Sequence, residues 1–494
     1  MFIEGDNLEV LKLLQKAYND KVKLIYIDPP YNTGNDFVYN DDFSDPLQHY
    51  LEVTGQVDAE GNRLVANTET SGRKHSNWLT MMYPRLVLAR NLLTQDGTLL
   101  ISIDDNELDN LLKICKEVFG EENVSLMVWN KEAEGSSGSL KAVSTYRRIH
   151  EYVVVCHRDT ALAAWTRVRE AVEGRESELQ TANLAVNAQN ENTKHANYFP
   201  IKNENGDVFI RQWKWSKSEI DRLISEGLIF WGSDGRKQPR LIIPLDDRRM
   251  TYLRSILNYG GTTAGRKDFE RILGADIEFS YPKPVLLLKK LILAATSEAD
   301  LVMDFFAGSG TTGQAVLEAN AEDGASRKFV LVTLGEGLEN PGDLNFRTVA
   351  DICLARVSAV IRSVEPEKVG LRVLRLGASP FEHSSSNGSE ILLNPKTLKS
   401  GAADEDAAMS VLLNLGIPLH ERWESTSEPH GGYIKAGNVT FSKAKVSSQD
   451  VIDLTFGTGS ETVVFLEDSF EGIDSLKANA FFRAKTENIT LKTF

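Results

Sequence analysis

Cysteine is scarce: only Cys115, Cys156 and Cys353 occur among 494 residues, far apart and in no CxxC spacing. That excludes a disulfide framework and a cysteine-ligated zinc site. Long apolar runs are missing too; none approaches the roughly 18 to 20 residues of a membrane span. The opening Met1-Phe2-Ile3-Glu4-Gly5-Asp6 carries acids where a secretory leader has basic residues and a greasy stretch. The expectation is a soluble, cytoplasmic protein without a membrane partner. Positive charge is in short supply, with 55 Lys+Arg against 70 Asp+Glu and a formal charge of −15. Binding nucleic acid by overall charge alone is thereby excluded, although a local positive face is not. What is present is ordinary for a globular chain: 41% hydrophobic and 25% charged residues leave no room for disordered, collagen-like or coiled-coil readings. At roughly 150 residues per domain the length suggests about three domains.

The pattern along the chain is α/β. Leu8, Leu11 and Leu14 share one face of a helix that Asp6 can cap, with Glu9 three residues on. Val22-Lys23-Leu24-Ile25-Tyr26-Ile27 reads as a buried strand and stops abruptly at Asp28-Pro29-Pro30-Tyr31. A helix over 77–94, a turn at Asp96-Gly97, a strand over 98–103 and a helix from Glu107 to Phe119 follow. This alternation predicts a parallel sheet covered on both faces. Residues of about 160–275 are less periodic and more polar, with Trp213, Trp215 and Trp231 interspersed. Between Ile201 and Glu270 there are 13 Lys+Arg and 10 Asp+Glu, a net of +3, which leaves −18 for the rest. Alternation returns with a helix over Val285–Ala295, a strand over 301–306, a helix from Gly313 and a strand over 329–332. Ser384 to Ser389 reads as a linker, and the last hundred residues as a separate mixed α/β piece.

Two motifs carry chemistry. Asp304-Phe305-Phe306-Ala307-Gly308-Ser309-Gly310-Thr311-Thr312-Gly313 follows a strand and opens a helix. Its glycines permit a tight turn and close approach of a ligand to helix-terminal N–H groups. It satisfies the G-x-G-x-x-G dinucleotide pattern, but Gln314-Ala315 stands where a P-loop needs Lys and Ser/Thr, so phosphate transfer is excluded here. A plain strand-to-helix turn is the bland reading. In Asp28-Pro29-Pro30-Tyr31 each proline fixes its own φ and restricts the residue before it. The stiff turn can aim two acceptors, the Asp28 carboxylate and the Pro29 carbonyl, at one point. Two convergent acceptors suit an –NH2 group, and Tyr31 offers a face for a planar base. A strand-ending turn over a packed aromatic is the alternative. Asp28 and Asp304 both end strands and lie 276 positions apart. They meet at the ligand-binding edge of one sheet only if the intervening segment loops out and returns.

With these motifs in this order, the chain resembles the modification (Mod) subunits of type III restriction–modification systems, DNA adenine methyltransferases of the permuted β class. The likeness covers nearly the whole chain. It runs through Phe2-Ile3-Glu4-Gly5-Asp6-Asn7-Leu8, Tyr26 to Asn35, Tyr83-Pro84-Arg85-Leu86, Ile101 to Glu107, Tyr281-Pro282-Lys283-Pro284, Phe306 to Thr312, and Asp468-Ser469-Phe470 with Lys477-Ala478-Asn479. The resemblance implies a circularly permuted, Rossmann-like S-adenosylmethionine-dependent methyltransferase fold. Residues 1–160 would be its catalytic half, 161–277 an inserted target-recognition domain, 278–365 the cofactor-binding half and 366–494 a C-terminal α/β domain for subunit contacts. It implies Asp28, Pro29, Pro30 and Tyr31 as the catalytic tetrapeptide. The cofactor site would comprise Asp6, Asn7, Pro282, Lys283, Asp304, Phe306, Gly308, Gly310 and Thr311. Glu336 would stand in for the ribose-holding acid, because Thr333 occupies the expected place. No metal is expected; Asp104-Asp105 are read as caps of the following helix. The implied partners are double-stranded DNA, a second copy of the chain and a helicase–nuclease restriction subunit on a separate chain. Family members usually carry a further segment ahead of the Phe-Ile-Glu-Gly-Asp stretch, at which this sequence starts.

The implied reaction is methyl transfer to the exocyclic amine of adenine, governed by orientation and electrostatics. Cytosine amine methylation is a minor rival, since that group more often carries Ser at the place of Asp28. A solitary methyltransferase without a nuclease, a dinucleotide-dependent oxidoreductase and a catalytically silent DNA-binding subunit remain as alternatives. The oxidoreductase leaves the Asp-Pro-Pro-Tyr turn without a job. Within the inserted segment, Trp213 and Trp215 are read as core, and Arg248, Arg249, Arg254, Arg266 and Lys267 as phosphate contacts or a solvated face.

Overall fold

A computed structural model describes residues 1–33, 71–132, 146–169, 181–203, 205–232, 235–242, 250–274, 277, 279, 281–338, 346–364, 369–381, 398–399, 403–426, 432–443, 446, 448–470 and 472–494. Gly34, Asn35, Arg248, Arg249 and the Ser384 to Ser389 linker lie outside the described residues. The chain divides into two compact units, Met1–Trp165 with Arg254–Phe494, and Thr166–Leu253.

The larger unit is organised by a nine-stranded sheet. Its strands in chain order are β1 (Phe2–Glu4), β2 (Val22–Ile27), β3 (Leu93–Ile103), β4 (Val124–Asn130), β5 (His150–His157), β6 (Ile256–Leu257), β7 (Leu301–Asp304), β8 (Lys328–Thr333) and β9 (Val373–Arg375). The order across the sheet is β6-β4-β5-β3-β2-β7-β8-β1-β9. Every pairing among them is parallel except those of β5 with β3 and β4. The chain leaves β2 towards β3 on one side and leaves β7 towards β8 on the other. The switch point therefore lies between β2 and β7, which pair through Val302 with Leu24 and Met303 with Ile25.

Helices cover both faces, as a parallel sheet requires. Three of them, α1 (Asn7–Tyr18), α2 (Ser71–Leu92) and α3 (Leu108–Phe119), pack in series. With Ile25, Ile27, Leu99, Ile101, Met303 and Val332 they enclose one apolar cluster. The intervening Leu24, Tyr26, Leu100, Val302 and Leu331 are buried too, on the opposite face. Four more helices, α4 (Thr262–Leu273), α5 (Val285–Ala295), α6 (Thr311–Asp323) and α7 (Val349–Val364), pack α5 on α6, α6 on α7 and α4 on α7. The α1 cap is as read from sequence: Asp6 is extended and its side chain accepts from Glu9 N at 3.0 Å. Asp104 and Asp105 correct the expectation, since the N-cap position of α3 is Glu107 and no side chain caps the helix. Asp104 instead closes its own turn by accepting from Asn106 N at 2.9 Å, and Asp105 accepts from the Tyr152 hydroxyl at 3.0 Å. Among the described residues no cluster suits a metal ion, and no helix is long and apolar enough to cross a membrane.

The C-terminal part of this unit has a five-stranded sheet with a core around Phe441, Val464 and Phe465, and its helix Asp404–Asn414 lies against α1. The smaller unit holds short antiparallel strands and the helix Lys217–Ser225 around Leu184, Ile201, Trp213 and Ile220. Trp213 is fully buried and Trp215 packs against the same core, so both tryptophans are structural.

One close approach sets the spacing beside the switch point. A Cβ on Gly265 of α4 would lie 2.0 Å from the Pro282 carbonyl oxygen, so only glycine lets α4 press on that segment. Alanine is the better helix former, yet here Gly265→Ala is predicted to destabilise the protein by about 1–3 kcal/mol in urea denaturation. Gly337→Ala, where a Cβ meets nothing within 4 Å, serves as the control and should change stability by less than about 0.5 kcal/mol. Equal effects of the two substitutions would contradict the packing argument.

Candidate active site

The corner after β2 is held from several sides. Pro29 and Pro30 stiffen it, and the Trp78 indole of α2 donates to the Pro30 carbonyl at 2.7 Å. Asn32 stands in the left-handed region at φ 59° and its amide donates to the Glu107 carboxylate at 2.5 Å. Glu107 is fully buried at the head of α3, where it also accepts from Asn110 at 2.7 Å and meets His75 Nδ1 at 2.6 Å. A left-handed residue held by a buried carboxylate that has two further partners marks a turn whose geometry matters. Tyr31 and Asp28 are thereby fixed at the carboxyl end of β2.

The glycine bend stands next to it, after β7. Asp304 is 2% exposed; its carboxylate accepts from Phe306 N at 3.0 Å and from the Thr312 hydroxyl, stapling the bend to the first turn of α6. Burial pushes the Asp304 carboxyl up to about 7. Gly308 at φ 48° and Gly310 at φ 79° carry the chain through the left-handed region. Gly310 precedes α6 without a side-chain cap, so no capping side chain takes up the first N–H groups of the helix. Beneath the bend, Arg356 of α7 is fully buried and donates to Gln314 at 2.8 Å, Ser309 at 3.0 Å and Thr311 at 2.8 Å.

The other expected residues line the same edge. Asp6 and Asn7 follow β1, Thr333 ends β8 and Glu336 follows it, so loops after four adjacent parallel strands stand in a row. Asn7 is buried with both ends of its amide engaged: it donates to the Phe305 carbonyl at 2.7 Å and accepts from Arg85 Nε at 2.7 Å. Its role is to brace the glycine bend from α1. Asp6 lies 3.7 Å from Arg85 Nη2. The Glu336 carbonyl accepts from Val349 N at 3.0 Å at the start of α7, and partial burial raises its carboxyl above the ordinary value.

Lys283, expected with the cofactor set, reaches the proline corner. Its ammonium lies 3.0 Å from Asp28 Oδ1, donates to the Tyr31 hydroxyl at 2.7 Å, and lies 3.4 Å from Glu151 Oε2 of β5. Glu151 also pairs with Lys131 at 3.3 Å, and the Tyr31 hydroxyl lies 2.9 Å from Asp28 Oδ1 and 3.1 Å from Glu151. The ammonium is 4.9 Å from the centre of the Tyr31 ring and 5.5 Å from that of Trp129. Burial pulls the Lys283 ammonium down, but the carboxylates of Asp28 and Glu151 outweigh it and hold it above its ordinary value. Burial likewise opposes the charge on Glu151, and the two lysines outweigh it and hold it low. Asp28 ends above the ordinary carboxylate range because burial exceeds the relief from Lys283.

The segment bearing Lys283 is anchored by α4. Asp268 of α4 accepts from Val285 N at 3.0 Å, supplying the cap that Pro284 cannot. At the other end of α4, the Lys131 carbonyl accepts from Thr262 N at 3.1 Å and the Trp129 indole donates to the Gly260 carbonyl at 2.9 Å. Tyr281, left-handed at φ 54°, turns the chain into this segment. Glu151 and Lys131 escaped the sequence reading, and Asn32 and Glu107 entered it only within the stretches that carry the resemblance and, for Glu107, as a helix start, with no role in the site given to them.

Arg266 is paired with Glu270 at 2.6 Å within α4, while Arg254 and Lys267 are exposed. Residues 22–335 match the model of a family described as DNA methylase. The chain is 35% identical to the type III restriction-modification enzyme StyLTI Mod subunit of Salmonella typhimurium, over 74% of this chain and 58% of that one. It is 31% identical to the EcoPI Mod subunit of Escherichia phage P1, over 76% and 65% of the respective chains. It is 32% identical to the EcoP15I Mod subunit of Escherichia coli, over 72% and 62%. The chain thus spans about three fifths of the length of these curated relatives.

Asp304 generates a stability prediction. A carboxyl raised to about 7 in the folded state and near 3.9 when unfolded binds more protons folded, so its contribution falls as pH rises between those values. Asp304→Asn removes that titration. The unfolding free energy of the unsubstituted protein minus that of the variant should drop by on the order of 2–4 kcal/mol from pH ~4 to pH ~7.5. Parallel stability curves would show that Asp304 is not held as described.

Proposed function

The chain belongs to the DNA methylase family, and on that footing we propose that it transfers a methyl group from S-adenosylmethionine to the exocyclic amine of adenine in double-stranded DNA, as the modification subunit of a type III restriction–modification system. The observation that carries this reading is the placement of Asp28-Pro29-Pro30-Tyr31 and of the Asp304 to Thr311 bend on neighbouring parallel strands, opening on one crevice. The likeness to the Mod subunits supports the choice of adenine and of DNA.

The residues present fit the cofactor. Uncapped N–H groups at the start of α6 suit an amino-acid carboxylate, the left-handed Gly308 and Gly310 admit close approach, and Phe306 adds an apolar wall. Asp6, Pro282 and Glu336 border the same edge, with Glu336 as the candidate partner of a ribose. S-adenosylmethionine, when bound, supplies an electrophilic methyl group on a sulfonium. The chain supplies the geometry. Asp28 and the Pro29 carbonyl each accept one N–H hydrogen bond from the target amine, which favours a pyramidal nitrogen with its lone pair free to attack. The methylated nitrogen must then lose a proton, and Asp28, made more basic by burial, is placed to take it. Extracting the base from the duplex costs a few kcal/mol, offset in part by stacking on Tyr31.

The compact unit Thr166–Leu253, within the segment 161–277, is read as the target-recognition region. Its exposed Lys194, Lys202, Lys214, Lys217 and Lys237 suit phosphate contacts. By the same reading the protein works in the cytoplasm as a homodimer, through contacts of residues 366–494, together with a helicase–nuclease chain.

The test is incorporation of labelled methyl from S-adenosylmethionine into bacterial DNA lacking adenine methylation, followed by nucleoside analysis. N6-methyladenine is expected; N4-methylcytosine alone, or no incorporation, would contradict the reading. Asp28→Ala should abolish transfer with calorimetric cofactor binding retained. Tyr31→Ala should lower activity on duplex DNA by about 5- to 150-fold, the range of one base–aromatic stack, and spare cofactor affinity. Equal losses of activity and affinity would contradict this division of labour.

A further inference from the structure

The assignment of Asp28 as the acceptor for the target amine leaves a question that its surroundings answer. A carboxylate at the end of a strand can rotate about its last bond, and burial favours its protonated form, in which one oxygen becomes a donor and accepts less well. Both hazards are met at one oxygen. The Tyr31 hydroxyl and the Lys283 ammonium converge on Asp28 Oδ1, at 2.9 Å and 3.0 Å. Among the described residues, Oδ2 has no such partner and is the oxygen left for the target's N–H. Lys283 is itself held, since its ammonium also donates to the Tyr31 oxygen and lies against Glu151, which is fixed in turn by Lys131.

We propose that Lys283 is a positioning residue of the methyl transfer: with Tyr31 it clamps Oδ1 of Asp28, keeps that carboxylate charged and turns Oδ2 to the target amine, while Glu151 holds Lys283 in place. This rests on the reading of Asp28 as the acceptor. It takes the lysine of the Pro282-Lys283-Pro284 segment out of the cofactor set and puts it into the acceptor half of the site. The glycine at 265 and the Asp268 cap of α5 then acquire a purpose, because they fix the segment that delivers Lys283.

The groups facing Asp28 define the signs. Lys283 lowers its pKa, whereas Glu151 raises it; Tyr31 contributes its hydrogen bond, and Tyr26 and Asp304 are further acidic groups within electrostatic reach. Removing Lys283 should therefore raise the pH at which Asp28 becomes charged, and removing the charge of Glu151 should lower it.

The experiment is the pH profile of kcat for methyl transfer to adenine-unmethylated bacterial DNA at saturating S-adenosylmethionine, with calorimetric cofactor affinity measured in parallel. In Lys283→Met the acid limb should move up by about one pH unit or more, a roughly tenfold loss below the limb, with cofactor affinity within about twofold of the unsubstituted protein. Lys283→Arg should restore the limb toward its original place. In the near-isosteric Glu151→Gln the limb should move the opposite way, to lower pH. A role in shape alone would reduce kcat in both variants without displacing the limbs, and a role in the cofactor pocket would raise the cofactor dissociation constant of Lys283→Met; either result overturns the proposal. Should Lys283→Met fail to fold, the displacement in Glu151→Gln still decides. Absence of methyl transfer by the unsubstituted protein would instead remove the functional reading beneath it.

Discussion

The parallel pairing of β2 with β7 is the constraint on which the site depends. Val302 and Met303 lie beside Leu24 and Ile25, so the residues that follow each strand emerge side by side although 276 positions separate Asp28 from Asp304. Neither motif is a site without the other. The proline corner offers acceptors with nothing to transfer, and the glycine bend offers helix N–H groups with nothing to react. Because the chain leaves the two strands in opposite directions, their carboxyl ends form the switch point, the place where open parallel sheets bind ligands.

Around that crevice the structure uses buried polar groups as fasteners. Glu107 holds Asn32 and so the proline corner; Asp304 and Asn7 hold the glycine bend; Asp268 caps the helix behind Lys283. Glu107, Asn7 and Asp268 engage partners from a different segment and Asp304 ties its own bend to α6, which makes the site stiff and buries polar groups. The charges are balanced locally. Burial raises both Asp28 and Glu151; at Glu151 Lys283 and Lys131 together outweigh it, whereas at Asp28 Lys283 does not, leaving Glu151 low and Asp28 high. In the proposed reaction, a carboxylate made more basic than usual suits a group that accepts hydrogen bonds first and a proton afterwards.

Much of the scaffold was legible in the sequence because its signals are local. The helix read over Val285–Ala295 has those bounds, the strand Val22–Ile27 likewise, and Asp6 caps α1 as its position suggested. Periodicity and proline–glycine punctuation report on neighbours along the chain, and these elements are decided by such neighbours. The strand expected over 98–103 starts earlier, at Leu93, because pairing of Leu93 with Val22 extends it past the Asp96-Gly97 turn. Asp104 and Asp105 were read as caps, but the Asx turn to Asn106 and the Tyr152 hydroxyl claim them. The proline corner and the glycine bend announce their chemistry by composition. The partners of Asp28 do not: Lys283 and Glu151 lie 255 and 123 positions away, and nothing in their local sequence says which carboxylate they meet.

The central claim is that donor and acceptor halves face each other across the β2–β7 switch point. An experimental structure of the protein with S-adenosylmethionine bound tests it most directly. The account predicts the cofactor's carboxylate at the start of α6 and its sulfonium methyl directed toward Asp28 and Tyr31. A cofactor seated away from the Gly308 to Thr311 bend, or with its methyl turned from Asp28, would contradict it.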